Sequence, residues 1–206
     1  MERAHHTKVT RQDWLDGAKE VLITDGVEQV KVLTLSSLLN VSRSSFYWYF
    51  KDRNDLLDAL LEDWLNTNTK ALVDHSQLPA DTINDAVCNV FQCFFDQREF
   101  NTRLDFAIRD WSRRAPKVHR VLEASDVQRI EALAQMFARY AYDATEALCR
   151  ARVLYYMQIG YNDAELEEPT EVRLELVEQY LQVFTGQQAD AGAVAEFRKR
   201  ITALVS

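Results

Sequence analysis

The chain has 206 residues, of which 47% are hydrophobic and 27% charged, and its formal net charge at pH 7 is -8. This length and composition fit one ordinary globular domain, or a small domain beside a larger one, and exclude a disordered chain. The 5 Gly and 3 Pro are too few for the frequent turns of an all-β sandwich or barrel. The negative charge excludes a protein that coats nucleic acid by bulk positive charge.

Short helices are predicted first along the chain. Apolar residues at helical spacing predict a helix over 11–25 that ends at Gly26. A second helix is interrupted at Asn40, a residue that tolerates a left-handed turn, and Ser42 is placed to cap a third, shorter helix. A longer fourth helix is predicted over about 52–73. Helices of these lengths around a tight turn are typical of a helix-turn-helix.

The remaining chain is predicted to form a larger helical bundle. Its apolar stripes predict helices that begin at Pro79 and Asn101, helices over 118–140 and 144–161, one from Pro169 to Gly186, and one over 190–205. We therefore expect an all-α protein of about nine to ten helices. Its N-terminal helix-turn-helix domain covers 1–51, and its larger domain covers 52–206.

Enzyme and metal-site motifs are missing from the sequence. It has no glycine-rich phosphate loop and no nucleophile elbow, and no residues have metal-ligand spacing; His5 and His6 lie in a polar N-terminal tail. We predict a non-enzymatic protein without a cofactor. Cys88, Cys93 and Cys149, together with the lack of a signal peptide, favour a reducing cytoplasm. Buried apolar cysteines are the simpler interpretation, and a redox-sensing thiol is the alternative.

The segment 41–53 is both aromatic and basic. Phe46 and Phe50, four residues apart, are expected in the core, and the same helix face cannot also bury the three aromatic residues between them. Exposed aromatic rings among basic residues suit a phosphate backbone, and the first turn of a recognition helix presents side chains to base edges. Arg43 is suited to pair bidentately with guanine. The candidate DNA-binding residues are Ser42, Arg43, Ser44, Ser45, Tyr47, Trp48, Tyr49, Lys51 and Arg53.

This segment resembles the signature of the TetR-type bacterial transcriptional regulators. The resemblance covers about residues 10–65, and it rests on the helix that ends at Gly26, on Val41 and Ser42 in the turn, and on the run FYWYFKDR at 46–53 followed by Leu56 and Leu57. The sequence departs from the family at three positions. Asn40 stands where the family usually has Gly, Ser36 where it usually has Ala, and Lys31 where a Ser or Thr often caps the second helix.

The resemblance implies a homodimer that binds palindromic operator DNA through its N-terminal domain and a small-molecule effector in its larger domain. By position, Tyr47 and Lys51 would contact phosphates, and Arg43, Ser44 and Ser45 would face bases. The predicted function is a repressor whose effector moves the fourth helix like a lever and releases the operator. Dimerisation is also reasonable physically, because two half-sites about 34–36 Å apart multiply the affinity.

The effector pocket and the dimer seam are predicted from apolar residues that plain core packing would also explain. An apolar or aromatic effector is expected from the aromatic residues of the middle helices, which are Phe91, Phe94, Phe95, Phe106, Trp111, Phe137 and Tyr156. The candidates for a four-helix dimer seam are Leu148, Tyr155, Ile159, Leu176, Tyr180 and Phe184.

The alternative function is an all-helical ligand-binding or adaptor protein whose helix-turn-helix contacts protein, and the acidic total favours it. The distribution of charge bears on this choice. Residues 1–55 hold eight basic and eight acidic residues, so the whole net charge of -8 belongs to 56–206. The segment 41–53 contains three basic residues and one acidic residue. The negative charge therefore lies in the larger domain, and 41–53 remains a locally basic segment suited to DNA. No membrane partner is expected.

Overall fold

The computed structural model describes residues 9–164, 166 and 168–205, so the tail with His5 and His6 lies outside the described residues. Every regular element in the described part is helical, which confirms the predicted all-α fold. The α-helices are α1 Arg11–Asp25, α2 Val32–Leu38, α3 Arg43–Phe46, α4 Arg53–Trp64, α5 Lys70–Gln77, α6 Ile83–Phe95, α7 Thr102–Ser112, α8 Pro116–Ala138, α9 Ala144–Asp163, α10 Thr170–Glu175, α11 Val177–Thr185 and α12 Ala191–Val205. No helix in these ranges is both long and apolar enough to span a bilayer.

Helix α1 has the bounds that the sequence predicts. Thr10 forms a capping box with Asp13: its hydroxyl accepts the Asp13 N–H at 3.2 Å, and the Asp13 carboxylate accepts the Thr10 N–H at 2.6 Å. Hydrogen bonds from Thr10 lower the pKa of Asp13. Gly26 ends the helix with φ of 80°, a left-handed backbone angle that costs glycine little.

The chain divides into two compact units, which we describe separately. The first consists of the chain up to Trp64 together with Arg103–His119, so α7 belongs with α1–α4. Within this unit the indole Nε1 of Trp64 donates to Asp105 at 3.0 Å, and both side chains are buried. The domain boundary predicted at residue 51/52 stays a prediction, because compactness alone does not define a functional domain.

The second unit consists of Leu65–Thr102 and Arg120–Ser206. Its hydrophobic core is built from the inward faces of α5, α6, α8, α9, α11 and α12. Thr82 forms a capping box with Asp85 at the start of α6, and the Asp143 carboxylate accepts two backbone N–H groups at the start of α9. Gly186 caps α11 in the left-handed conformation with φ of 70°, which confirms the helix end predicted there.

The predicted helix over 52–73 is interrupted by a π-helical turn at Leu65–Thr69. The wider turn buries two consecutive polar residues, Asn68 and Thr69. Asn68 donates to the Asn101 carbonyl oxygen at 2.9 Å and accepts the Asn101 N–H at 3.2 Å. Thr69 bonds Ser125 at 2.7 Å and accepts a hydrogen bond from the fully buried Arg129 at 3.0 Å. The predicted fourth helix is therefore two α-helices, because polar interior contacts of this kind leave no apolar periodicity.

Candidate nucleic-acid interface

The turn between α2 and α3 follows the geometry that the sequence indicates. Leu39 closes α2, and Asn40 adopts the left-handed conformation with φ of 52°. The Val41 N–H then donates to the Ser36 carbonyl oxygen at 2.9 Å and fixes the turn. Asn40 thus occupies the backbone position where the resemblance noted above leads us to expect Gly, since Asn tolerates this region better than other residues with a side chain.

Two buried phenylalanines anchor α3 to α1. Phe46 is fully buried and Phe50 is 2% exposed, which confirms their predicted place in the core. Phe46 packs edge to face on Trp14, with ring centroids 5.2 Å apart, and lies 5.4 Å from Phe50. The short helix α3 gains its fixed orientation from these contacts, because four residues are too few for a stable helix on their own.

Two of the three aromatic side chains between the anchors face solvent. Tyr47 is 60% exposed and Trp48 is 74% exposed, as predicted for aromatic residues that the core cannot also bury. Arg43 and Lys51 are exposed as well. The surface beside α3 therefore carries two large rings and two cations, the combination that contacts nucleic-acid phosphates and sugars.

The serines of the turn bond with one another. Ser42 is the N-cap residue of α3, as predicted, but its hydroxyl makes no capping bond and lies 2.8 Å from the Ser44 hydroxyl. The Ser45 hydroxyl donates to the Ser42 carbonyl oxygen at 2.7 Å. Ser42 and Ser44 are exposed and Ser45 is half-buried. Ser44 is therefore better placed than Ser45 to meet a base edge.

Two predicted DNA-binding residues are engaged by the chain's own backbone. The Tyr49 hydroxyl donates to the Val9 carbonyl oxygen at 2.8 Å. Arg53 donates through Nε to the Val30 carbonyl oxygen and through Nη2 to the Val27 carbonyl oxygen, both at 2.6 Å. Both side chains are half-buried. This geometry favours a positioning role for Tyr49 and Arg53 over the phosphate contacts expected from the sequence.

The acidic residues at the start of α4 act as caps. One Asp52 oxygen accepts the N–H groups of Asn54 at 2.8 Å and Asp55 at 3.0 Å, so Asp52 acts as the N-cap. The Asp55 carboxylate accepts the Lys51 N–H at 2.8 Å. Both carboxylates thus accept hydrogen bonds from backbone donors, and among the described residues neither forms an ion pair with the exposed Arg43 or Lys51.

The predicted effector residues do not form one group. Phe91 and Phe95 line the same cavity of the second unit. Phe94 packs on Phe100 and Phe137 on Tyr142 in the core of that unit. Tyr156 is 49% exposed on α9. Phe106 and Trp111 belong to the first unit. The cavity residues that sequence reasoning missed are Met157, Gln158, Tyr161, Glu168, Arg173, Val177 and Tyr180.

The predicted dimer-seam residues divide by burial. Leu148 and Leu176 are exposed, at 42% and 40%. Tyr155 and Phe184 are each 2% exposed and belong to the core of their own unit. The remaining two, Ile159 and Tyr180, are partly buried against that core. On α9 and α11 a buried apolar stripe lies next to an exposed one. The spacing of apolar residues in the sequence does not distinguish the two stripes.

The cysteines differ in accessibility. Cys88 and Cys93 are buried as expected, whereas Cys149 is exposed. Burial raises the pKa of the Cys88 thiol to about 12, so this thiol stays protonated at neutral pH. Within the described ranges, His, Cys, Asp and Glu side chains form no group of three that would hold a metal ion.

Comparisons with known proteins agree with this architecture. The family model for bacterial regulatory proteins of the tetR family matches residues 15–60. No curated protein matches the chain significantly in sequence.

Several solved structures share the fold along the whole chain. AmtR of Mycobacterium smegmatis is 15% identical with a TM-score of 0.65, over 98% of this chain and 99% of that one. The ketosteroid transcriptional regulator KstR2 of Mycobacterium tuberculosis is 15% identical with a TM-score of 0.64, over 92% and 100%. SmeT, the repressor of the Stenotrophomonas maltophilia efflux pump SmeDEF, is 20% identical with a TM-score of 0.62, over 91% and 94%.

The matched range begins within α1 and ends within α4, so it contains the turn at Asn40, the anchor Phe46 and the exposed residues of α3. The structural likeness extends over the second unit as well. Residues 15–60 are thus similar to the bacterial regulatory proteins of the tetR family, and the chain as a whole has the all-helical fold of these solved regulators, with an N-terminal helix-turn-helix.

Proposed function

We propose that this protein is a repressor that binds a palindromic operator as a homodimer and is released by a small-molecule effector. The observation that carries the proposal is the exposed pair Tyr47 and Trp48 beside Arg43, mounted on the buried anchors Phe46 and Phe50. A surface that exposes large rings next to cations has an energetic reason to bind an anionic, stacked polymer. The repressor role is supported by the structural likeness to SmeT, which is itself a repressor.

Within the α3 surface we assign different roles to neighbouring residues. Arg43 and Ser44 are exposed in the first turn, where a recognition helix faces base edges. Tyr47 and Lys51 are assigned to phosphates, with Trp48 packing on the sugar backbone. We propose that base contacts set specificity, while phosphate contacts supply the salt-dependent part of the affinity.

The dimer is assigned to an apolar surface on the second unit, which we call the α9–α11 face. Its members share the spacing i, i+4, i+7 and i+11 on two adjacent helical segments: Cys149, Val153, Tyr156 and Gly160, and Val172, Leu176, Gln179 and Val183. Val153 and Val183 are 54% and 69% exposed. A methyl group added at Gly160 would meet nothing within 4 Å. Contiguous exposed apolar residues of this kind mark an interaction surface.

Charge introduced on the α9–α11 face tests the dimer. We expect the double variant Val153→Glu/Val183→Glu to sediment as a monomer, because burying two carboxylates is costly. Val127→Glu is the matched control, since Val127 is a 52% exposed valine on α8, outside the face. Dimers that survive the double variant, or a control that dissociates as readily, would contradict this assignment.

The effector is assigned to the second unit, where Phe91 and Phe95 line a cavity. An apolar or aromatic small molecule fits these walls. In the chain, α4 of the first unit is followed directly by the π-helical turn of the second, and we propose that effector binding acts along this connection. A protein with this function works where the operator lies, which is the bacterial cytoplasm.

Selection of bound sequences from random duplex DNA is the decisive experiment. We expect a palindromic consensus that the double variant Arg43→Ala/Tyr47→Ala no longer binds, at fixed salt concentration. Lys199→Ala is the control for loss of a surface charge, because Lys199 is exposed on α12. Binding should also quench Trp48 fluorescence. No enriched sequence and no quenching would instead favour the helical adaptor.

A further inference from the structure

The cavity of the second unit lies among α6, α9 and α10–α11. Its volume is about 50 Å³ as space open to the centre of a water molecule, and about 470 Å³ when all the space between its atoms is counted, open solvent included. A space of this size holds a few water molecules or one end of a small organic molecule. It is lined by Phe91, Phe95, Met157, Gln158, Tyr161, Glu168, Arg173, Val177 and Tyr180.

Packing behind the cavity fixes its aromatic walls. Phe91 meets Phe184 edge to face, with ring centroids 5.7 Å apart, and Tyr180 stacks on Phe184 at 6.0 Å. Phe184 is itself 2% exposed in the core of the second unit. Because these rings are held by the core, the apolar side of the cavity is largely preformed, which lowers the entropic cost of binding an apolar group.

Arg173 brings a positive charge to this apolar space. Its guanidinium carbon lies 4.4 Å from the ring centroid of Phe95 and 5.0 Å from that of Tyr161. In the part of the chain that the structure describes, the guanidinium has no hydrogen bond and no ion pair, although the side chain is half-buried. Rings that contact the face of a guanidinium leave its edge N–H groups available for the bidentate bonding that a carboxylate offers.

The neighbouring carboxylate is engaged elsewhere. Glu168 accepts a short hydrogen bond from the Tyr161 hydroxyl. Burial, and next this hydrogen bond, raise the pKa of Tyr161 to about 12, so at neutral pH the phenol is an uncharged donor to Glu168. A cationic ligand would compete with Arg173 for the rings of Phe95 and Tyr161 and would meet its charge. The arrangement therefore favours an anion over a cation.

We propose that this cavity binds a small amphipathic carboxylate, whose apolar or single-ring body lies against Phe91 and Phe95 and whose carboxylate pairs with Arg173. As a ligand site the proposal stands on its own geometry. As the effector site it rests on the proposed function and names the chemical class of the effector.

Calorimetry with a matched acid and amide tests the site. We expect the full-length protein to bind 3-phenylpropanoate at least tenfold more tightly than 3-phenylpropanamide, because the amide lacks the charge. Arg173→Met should abolish this preference, whereas Arg173→Lys should retain it with weaker binding. Arg200→Met is the matched control, because the Arg200 guanidinium also lies over an aromatic ring, 5.9 Å from the centroid of Phe197.

Two results would overturn the site: no binding of either compound, or equal binding of both that Arg173→Met leaves unchanged. Thermal unfolding first shows that each variant is folded. Operator release is measured separately. A bound acid that leaves the protein on its operator would overturn the effector role and keep the site. A protein that selects no DNA would overturn the proposed function, while calorimetry would still decide the cavity.

Discussion

Lys51 and Arg53 are two cations, two residues apart, that the sequence assigns alike to the phosphate backbone and that the structure treats differently. Lys51 is exposed, and its ammonium group makes no hydrogen bond to the residues that the structure describes. Arg53 is half-buried and donates to the carbonyl oxygens of Val27 and Val30, both at 2.6 Å. We predict that only Lys51 contributes to the salt dependence of DNA binding and only Arg53 to stability.

The size of each effect follows from these contacts. Hydrogen bonds to charged groups contribute about 1.5–3 kcal/mol each. Arg53→Lys keeps the charge but offers one nitrogen where two separate guanidinium nitrogens donate, so we expect it to lose one of the two bonds and unfolding to become easier by about 1.5–3 kcal/mol. Lys51→Gln removes an exposed charge and should change the stability by less than about 0.5 kcal/mol.

Two measurements on each variant separate the roles. Urea unfolding followed by circular dichroism reports the free energy of unfolding, and operator binding across a salt series gives the slope of log K against log salt. Loss of one phosphate contact lowers the slope by about 0.9, so Lys51→Gln should lower it by about 1.8 in a dimer on two half-sites. Arg53→Lys should leave the slope unchanged. The reasoning is wrong if Arg53→Lys unfolds like the parent, or if Lys51→Gln keeps the full slope.

Three further predictions concern backbone geometry and thiols. Asn40→Ala should lower the free energy of unfolding by about 1 kcal/mol because φ is 52° there, and Asn40→Gly should not; equal stability of the two variants would contradict this. Gly186→Ala should cost at least about 1 kcal/mol in the same assay, because φ is 70° and the added Cβ would lie 2.9 Å from an arginine nitrogen. With a colorimetric thiol reagent at neutral pH and low protein concentration, Cys149 should react fast, while Cys88 and Cys93 should react only after denaturation.

The features that the sequence predicts well are local ones. Gly26 and Asn40 mark a helix end and a turn through their own backbone preferences, and both adopt positive φ. Phe46 and Phe50 follow from their spacing on one short segment, since two residues four apart share a helix face. The helix-turn-helix and its exposed aromatic residues were therefore accessible without a structure.

The roles of Tyr49 and Arg53 depend on contacts that spacing does not encode. The partner of Tyr49 lies 40 residues away in sequence, and the partners of Arg53 lie 23 and 26 residues away. Each contact ends on a backbone carbonyl oxygen, which any residue carries. The sequence of a basic segment therefore does not show whether a basic or aromatic side chain is exposed to a ligand or hydrogen-bonded to the chain's own backbone.

The second unit was harder to predict because its helices are apolar on more than one side. On α9 the buried Tyr155 and the 54% exposed Val153 are two residues apart, and on α11 the buried Phe184 directly follows the 69% exposed Val183. Helical periodicity finds both stripes, but only packing shows which one faces the core. The sequence gives one weak indication that Arg173 belongs to a site. It is a lone basic residue four positions before Val177, on an otherwise apolar stripe.

The position of the cavity limits how a bound carboxylate would act. Helix α6 lines the cavity and packs against α5, where Nδ1 of His75 donates to the Asn89 carbonyl oxygen at 2.7 Å. Helix α5 continues from the π-helical turn whose Asn68 and Thr69 are hydrogen-bonded within the second unit, and this turn directly follows α4 in the chain. The other walls, α9 and α10–α11, carry the proposed dimer face. If the acid releases DNA without changing the dimer dissociation constant in sedimentation, the route runs through α6; a parallel loss of dimer would show that it runs through α9 and α11.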